Sequence, residues 1–228
     1  MPHPPADLRW TYAGTIPYLL AWEQQKQLRE QRIQDQIPDT LLLLEHPPTI
    51  TLGRLRGEQS LRQDNTALAA QGVSVIRSDR GGDATLHAPG QLVGYLIVDI
   101  GKRSLSLPVF VETIAAAIIS YLQGFSLEPF YDPEYPGVWL DSHKIAAFGF
   151  HLHQGVTMHG FALNLQTPLH LFDLIVPCGL AHKGVASLQQ TLPNAPSPKE
   201  AAQPIAHAIA HALQLHPQPF SIDLSPRA

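Results

Sequence analysis

His143-Lys144-Ile145-Ala146-Ala147-Phe148-Gly149-Phe150 and Thr157-Met158-His159-Gly160-Phe161-Ala162-Leu163-Asn164 are two apolar runs within the segment from Val138 to Leu165. Each run has the length and composition of a β-strand. Gln154-Gly155, which lies between them, is typical of a tight turn. The segment therefore predicts two strands joined as a hairpin.

Small side chains recur at fixed places in the two predicted strands. Because side chains alternate along a strand, Gly160 and Ala162 share one face, and Ala147 and Gly149 share one face of their own strand. Small residues on paired strands leave a slot. That slot either admits an unbranched chain or lets a helix pack closely, and the sequence leaves both alternatives open.

The rest of the chain alternates between helix and strand patterns without an internal repeat. Long helical segments mixed with hairpin-connected strands predict an α+β domain with a mixed, largely antiparallel sheet. No Walker-type phosphate loop or dinucleotide fingerprint is present. The predicted strands are 41–44, 72–77 and 92–100, and the predicted helices are 16–37, 108–123 and 198–213.

The composition is that of a globular protein that folds alone. The chain has 228 residues, 44% of them hydrophobic, and a formal net charge of −4 with scattered basic residues. We therefore expect one domain over residues 1–228, with 1–7 and 191–198 flexible, and no nucleic-acid surface. No apolar run approaches a membrane span, and the N-terminus does not resemble a signal peptide. These features predict a cytoplasmic protein, and we expect a monomer.

The segment from Arg80 to Gln91 is a glycine-bearing loop between two predicted strands. Gly81 and Gly82 allow backbone amides to approach a ligand, and Arg80 and His87 bring further donors to the same place. A glycine-rich turn with nothing bound has a similar sequence. The presence of Arg, Thr, His and Gln in so short a loop favours ligand binding.

Two single residues are candidates for chemistry. Lys144 begins an apolar strand, either as a strand-end lysine that reaches water or as a partly buried amine that can act as acid and base. Cys178, the only cysteine, lies between Pro177 and Gly179 in a segment typical of a turn. It is either a small buried hydrophobe or a nucleophile, and with no second cysteine it cannot form an internal disulfide.

Taken in order, these segments resemble the lipoyl (octanoyl) transferase family, which is related in fold to the biotin and lipoate protein ligases. The resemblance covers about Leu41 to Leu188. The motifs that carry it are His46-Pro47-Pro48, Thr51-Leu52-Gly53-Arg54, the Arg80-Gly81-Gly82 loop, Lys144-Ile145-Ala146-Ala147, His159-Gly160-Phe161-Ala162-Leu163-Asn164 and Pro177-Cys178-Gly179.

The resemblance implies a biotin/lipoate ligase-like fold and the first step of endogenous protein lipoylation, without a cofactor or metal. An octanoyl group would pass from octanoyl-acyl carrier protein to a lysine of a lipoyl domain, in a 2-oxoacid dehydrogenase or the glycine cleavage H protein. Cys178 would carry it as a thioester, and Lys144 would favour the thiolate and shuttle protons. The residues implied to line the acyl site are Arg80, Gly81, Gly82, Asp83, Ala84, Thr85, Leu86, His87, Ala147, Phe148, Gly149, Gly160, Phe161 and Ala162.

Two positions depart from the family pattern. Ala88 stands where members have the first glycine of His-Gly-Pro-Gly-Gln, and Ala186 stands where they have the threonine of Thr-Ser-Leu. Ala88 raises the question of whether its position needs a positive φ, and Ala186 lacks a hydroxyl that could form hydrogen bonds. Neither change removes a group with an implied catalytic role.

Three alternatives remain open at this point. An ATP-dependent lipoate or biotin ligase shares the fold but activates its acid as an adenylate. A catalytically silent module that binds the carrier protein is a second. A metal protein is the third, since His151 and His153 share a strand face and His207 and His211 lie four residues apart, although neither pair has a clear third ligand.

Overall fold

A computed structural model describes residues 6–55, 57–176 and 184–224. The strands in these residues are β1 Asp7–Thr15, β2 Asp39–Glu45, β3 Thr49–Leu52, β4 Ser74–Arg77, β5 Ala84–His87, β6 Gln91–Ile97, β7 Phe130–Tyr131, β8 Gly137–Leu140, β9 His143–His153, β10 Val156–Asn164, β11 Gly184–Val185 and β12 His216–Pro219. The α-helices are α1 Tyr18–Ile33, α2 Asn65–Ala70, α3 Leu107–Gln123, α4 Leu188–Thr191 and α5 Pro198–Ala212.

The predicted hairpin is the pair β9 and β10. Gln154 and Gly155 at its turn have φ values of 48° and 80°. A two-residue turn with positive φ at both positions matches the right-handed twist of the strands it joins. The register places Gly149 opposite Gly160 and Ala147 opposite Ala162. The small residues therefore form a contiguous patch across the two strands.

This hairpin belongs to a large sheet that carries the fold. Its strand order is β12-β1-β2-β6-β10-β9-β8-β7, and β11 pairs with β9. Strand β1 runs parallel to both of its neighbours, β11 runs parallel to β9, and the remaining pairs are antiparallel. The prediction of a mixed, largely antiparallel sheet flanked by helices is confirmed.

Helices cover both faces of the large sheet. On one face α3 and α5 bury Phe110 and Ile205 against a core that includes Leu41 and Leu96. On the other face α1 buries Tyr18 and packs against a smaller core. None of the helices in the described ranges is long and apolar enough to cross a membrane.

The predicted helix 16–37 is too long at both ends. Helix α1 begins after Pro17 and ends at Ile33. Asp35 has a φ of 56°, so the chain reverses direction there before Pro38 leads into β2. A left-handed residue ends a helix because it cannot continue the right-handed backbone hydrogen-bond pattern.

A second, three-stranded sheet lies beside the large one, in the order β4-β3-β5. Its apolar side chains form a separate core that includes Ile50, Leu52 and Leu86. Residues 78–83 connect β4 to β5, and we refer to residues 79–83 as the Arg80 loop. The small sheet therefore holds this loop against the hairpin of the large sheet.

Candidate active site

A cavity of about 670 Å³ lies between the β6–β10–β9 part of the large sheet and the Arg80 loop. Residues near Lys144 and the N-terminal end of α3 also contribute to its wall. The residues used below that line it are Tyr18, Leu55, Arg80, Gly81, Gly82, Asp83, Ala84, Thr85, His87, Gln91, Val93, Tyr95, Glu112, Glu134, Pro136, Lys144, Ala147, Phe148, Gly149, His159, Gly160, Phe161, Ala162, Asn164, Phe172, Gly184 and Val185.

Lys144 shares the cavity side of the sheet with Ala147, although the two are three residues apart. In the pairing of β8 with β9, Gly137 lies opposite Ala147, whereas Trp139 lies opposite Lys144. The register shifts by one residue between these pairs, so β9 contains a β-bulge at Ile145. Strict alternation would place Lys144 and Ala147 on opposite faces, and the extra residue brings them to the same face.

The side chain of Lys144 is held by contacts with the Trp139 ring in β8 and with the backbone of Pro136, which precedes β8. Its Nζ donates a hydrogen bond of 3.2 Å to the carbonyl oxygen of Pro136 and lies 4.8 Å from the centre of the Trp139 ring. A Cβ on Gly137 would come within 2.7 Å of Lys144 Cε. Gly137 therefore leaves the space through which the lysine stem passes.

Gly149, one of the small residues of the hairpin, packs against the Arg80 loop. A Cβ on Gly149 would lie 3.1 Å from the carbonyl oxygen of Gly81 and 3.3 Å from Arg80 Cδ. The amide of Gly81 donates a hydrogen bond of 3.0 Å to the carbonyl oxygen of Phe150. Gly149 therefore packs against a loop and not against a helix, and the space beside Gly149 is part of the cavity.

The Arg80 guanidinium is buried and donates hydrogen bonds to backbone carbonyl oxygens and to one side-chain hydroxyl. Its NH2 donates to the carbonyl oxygens of Thr51 and Asp83, its NH1 to that of Gly81, and its Nε to Thr51 Oγ1, over distances of 2.5 to 2.9 Å. The sequence suggested that Arg80 supplies donors to a ligand. Arg80 lines the cavity, and these contacts fix the conformation of the loop that forms the cavity wall.

The tautomer of His87 is fixed by a chain of amides. Gln91 Nε2 donates to the carbonyl oxygen of Leu86 and to Asn164 Oδ1, while Asn164 Nδ2 donates to the carbonyl oxygen of Ala186. Gln91 Oε1 must therefore accept the hydrogen bond of 2.8 Å from His87 Nδ1. Burial lowers the pKa of His87 well below its ordinary value, so its Nε2 is a lone-pair acceptor.

Further polar groups join the Arg80 loop to the hairpin. Asp79 accepts hydrogen bonds from His159 Nε2 at 2.7 Å and from His151 Nδ1 at 2.9 Å. Burial alone would raise the pKa of Asp79, but these two hydrogen bonds hold it below its ordinary value. His159 has a φ of 61° in the middle of β10, and its amide donates to the buried Gln25 Oε1. The carboxylate therefore anchors the loop to two strands.

Most residues predicted to line an acyl site do line the cavity. The exception within the Arg80 to His87 segment is Leu86, which packs in the core of the small sheet and does not line the cavity. Cys178 lies outside the described residues. The residues placed on either side of it are Val176, whose amide bonds to the carbonyl oxygen of Ser60, and Gly184, which pairs with His143 and lines the cavity.

The two departures from the family pattern are accommodated by the backbone. Ala88 is fully buried and does not adopt a positive φ, so no glycine is required there. Ala186 donates its amide to the carbonyl oxygen of Lys144 and accepts a hydrogen bond from Asn164 through its own carbonyl. Both contacts use the backbone and are available to alanine.

Several cavity residues were missed from the sequence. Tyr18, Val93 and Tyr95 line the cavity but lie on a helix and a strand that carry no glycine motif or polar cluster. Their signal in the sequence is that of ordinary core residues. Among the described residues, no group of three or more histidine, aspartate or glutamate side chains is placed to hold a metal ion.

The sequence is similar to known proteins over most of its length. The model of the lipoyl protein ligase A/B catalytic domain matches residues 17–210. An octanoyltransferase of Chloroflexus aurantiacus is 42% identical over 91% of this chain and 94% of its own length. An octanoyltransferase of Rubrobacter xylanophilus is 45% identical over 78% of this chain and 81% of its own length.

Solved structures share the fold at much lower identity. A lipoate-protein ligase A bound with ATP superimposes with a TM-score of 0.73 at 14% identity, covering 96% of this chain and 90% of its own. A biotin protein ligase from Aquifex aeolicus has a TM-score of 0.51 at 12% identity, covering 91% and 68% of the two chains. These two structures show the biotin/lipoate ligase fold. The family model and the similar octanoyltransferases show that the chain belongs to the lipoyl protein ligase A/B catalytic-domain family.

Proposed function

We propose that this protein is an octanoyltransferase that moves an octanoyl group from octanoyl-acyl carrier protein to a lysine of a lipoyl domain, through a thioester on Cys178. The observation that carries the proposal is the cavity, in which Lys144 stands on the same sheet face as the small residues Ala147 and Gly149. An amine at one end of an apolar slot suits the transfer of an unbranched acyl group. The names of the relatives support the same activity.

In the first step the Cys178 thiolate attacks the carbonyl carbon of the octanoyl thioester on the carrier protein. The thiol proton passes to the Lys144 amine. A new C–S bond to Cys178 forms, the C–S bond to the carrier breaks, and the ammonium of Lys144 returns a proton to the departing carrier thiolate. One thioester is exchanged for another, so the step is nearly isoenergetic and needs no nucleotide.

In the second step the neutral amine of the acceptor lysine attacks the thioester carbonyl. A C–N bond forms, the bond to Cys178 breaks, and Lys144 accepts the proton that the attacking nitrogen must lose. The Cys178 sulfur leaves as the thiolate, and the product is the octanoylated lipoyl domain. Amide formation from a thioester is thermodynamically favourable, so the second step drives the two-step transfer to completion.

Intact-mass spectrometry tests the thioester directly. After incubation with octanoyl-carrier protein, the protein should gain the mass of one octanoyl group, and a lipoyl domain added afterwards should remove it. Cys178→Ser should not give a thioester adduct. Lys144→Ala should accumulate the adduct much more slowly. An unlabelled wild-type protein, or equal labelling of the serine variant, would contradict the mechanism.

The ligase alternative makes the opposite prediction about substrates. An ATP-dependent ligase octanoylates a lipoyl domain from free octanoate and ATP, whereas the proposed transferase does so only from the carrier-protein thioester. Both assays can be run on one preparation with the same acceptor domain. Activity with octanoate that depends on ATP would favour the ligase.

The proposal also covers the acceptor proteins, the cellular location and the oligomeric state. Acceptors would be the lipoyl domains of 2-oxoacid dehydrogenases and the glycine cleavage H protein, and the enzyme would act as a cytoplasmic monomer. Light scattering of the purified protein at assay concentration measures this state, and a stable dimer would contradict it.

A further inference from the structure

We propose that Val93 on β6 sets the length of the acyl chain that the cavity accepts, with the rings of Tyr18 and Tyr95 completing the end wall. This inference rests on the proposed function, because it takes Lys144 to mark the end of the cavity at which the acyl carbonyl reacts. It concerns a residue that neither the glycine motifs nor the candidate catalytic pair includes.

The cavity has an open end and a closed end. Near Lys144 its walls include Glu112, Glu134 and Pro136, which are exposed. At β6 its walls are Val93 and Tyr95, which are 1% and 3% exposed. A carrier protein stays outside the cavity while its acyl carbonyl reaches Lys144. The methyl end of the chain must then point toward the buried end at β6.

One row of paired residues forms the floor between these ends. Ala147 on β9 pairs with Ala162 on β10, and Ala162 pairs with Val93 on β6. The first two carry a single methyl group, so Val93 is the first larger side chain on the row. From β9 to β6 the row crosses two strand spacings, roughly 10 Å in all, which is close to the length of an extended octanoyl chain.

Beyond Val93 the row is closed. Leu44 on β2 pairs with Val93, is fully buried, and does not line the cavity. Leu44 and Val93 pack in one apolar core with Tyr18, Tyr95 and Ala162. Shortening Val93 would therefore deepen the cavity toward Leu44 without opening it to solvent.

The aromatic part of the end wall is held in place. The hydroxyl of Tyr95 lies 2.7 Å from His46 Nε2, and His46 Nδ1 donates to the carbonyl oxygen of Ile16. The hydroxyl of Tyr18 lies 2.9 Å from Ser78 Oγ. With both rings tethered and the χ1 of a β-branched valine restricted, the wall does not move aside for a longer chain. Side-chain size at position 93 then decides the depth.

A competition assay tests this inference. Equal amounts of octanoyl- and decanoyl-carrier protein are offered together, and the two acylated forms of the lipoyl domain are measured by mass. For Val93→Ala the ratio of decanoyl to octanoyl product should rise about tenfold over wild type, and for Val93→Ile it should fall, because one methylene in a tight pocket changes selectivity by at least that factor.

Val98→Ala is the matched control. Val98 follows β6 directly and is fully buried, but it belongs to the core on the other side of the sheet and does not line the cavity. Its product ratio should equal that of the wild type. Because both products come from the same enzyme molecules, partial unfolding of a variant lowers both and leaves the ratio unchanged.

The outcomes separate this inference from the proposed function. If the wild-type protein transfers neither acyl group, the proposed function fails. If wild type transfers octanoyl groups but Val93→Ala and Val93→Ile both leave the product ratio within about twofold of wild type, Val93 does not set chain length and the inference is overturned.

Discussion

Lys144 reaches the cavity side of the sheet because β9 contains one extra residue. The sequence identified this lysine as a candidate, but counting from Ala147 places it on the opposite face. Neither glycine nor proline marks the bulge at Ile145, so the sequence carries no local signal for it. The register is set by the pairing of β9 with β8, a contact between strands that residue spacing does not encode.

Gly137→Ala should lower octanoyl transfer by displacing this lysine. The added Cβ would come within 2.7 Å of Lys144 Cε and within 2.9 Å of both Lys144 Cδ and the carbonyl oxygen of Ala146, so the lysine side chain and the adjoining β9 backbone must move. A shift of about 1 Å at a reacting group lowers kcat by about tenfold to a hundredfold. Steady-state kinetics should show the loss in kcat, with little change in the KM for the acceptor domain, and a changed dependence of kcat on pH.

Gly124→Ala is the control for this substitution. Gly124 lies at the end of α3, has a right-handed helical conformation, and does not line the cavity. It should keep wild-type kcat. If Gly137→Ala also keeps wild-type kcat and pH dependence, the space at Gly137 does not position Lys144.

The two elements that form the cavity differ in how far the sequence predicted them. The β9–β10 hairpin was predicted with its turn and its paired small residues, because alternation and turn chemistry are local properties. The role of Arg80 within its loop was not predicted, because two of its hydrogen bonds go to Thr51, on a strand distant in sequence. Strand β12 was also missed, since Pro217 and Pro219 argue against a strand except at a sheet edge, where β12 lies.

Arg80→Lys should destabilise the protein even though it keeps the positive charge. The guanidinium donates in several directions to fixed oxygens of Thr51, Gly81 and Asp83, and an ammonium on a flexible stem cannot reproduce that geometry. We expect the free energy of unfolding in urea to fall by about 2 kcal/mol or more.

Arg77→Lys provides the comparison at the end of the preceding strand. Arg77 forms an exposed ion pair with Glu58 over 3.2 Å. Such pairs contribute little, so this variant should lie within about 0.5 kcal/mol of wild type. Equal losses in the two variants would show that Arg80 does not organise the loop.

For the whole molecule, buried neutral histidines predict acid sensitivity. Burial lowers the pKa of His46 to about 4 and that of His87 well below its ordinary value. Unfolded histidines have a pKa of about 6.5, so between these values the unfolded chain binds more protons than the folded one. The free energy of unfolding should therefore fall as the pH falls from about 6.5 to about 4.

Urea unfolding at a series of pH values measures this effect. His46 alone should account for about 2 kcal/mol of the loss by pH 5. His46→Asn lacks the titrating group and should show a smaller dependence on pH over this range, although its stability at neutral pH is lower. An identical slope for the variant and wild type would show that His46 does not titrate as a buried neutral group.

The inward-facing guanidinium of Arg80 has a consequence for ligand affinity. Hydrogen bonds within the protein order the Arg80 loop before any acyl chain binds. Binding therefore does not have to immobilise a flexible segment. Association should therefore involve little loss of conformational entropy in the protein. A preference for another acyl group could then evolve through single side chains on the floor and end wall, with the backbone of the site unchanged.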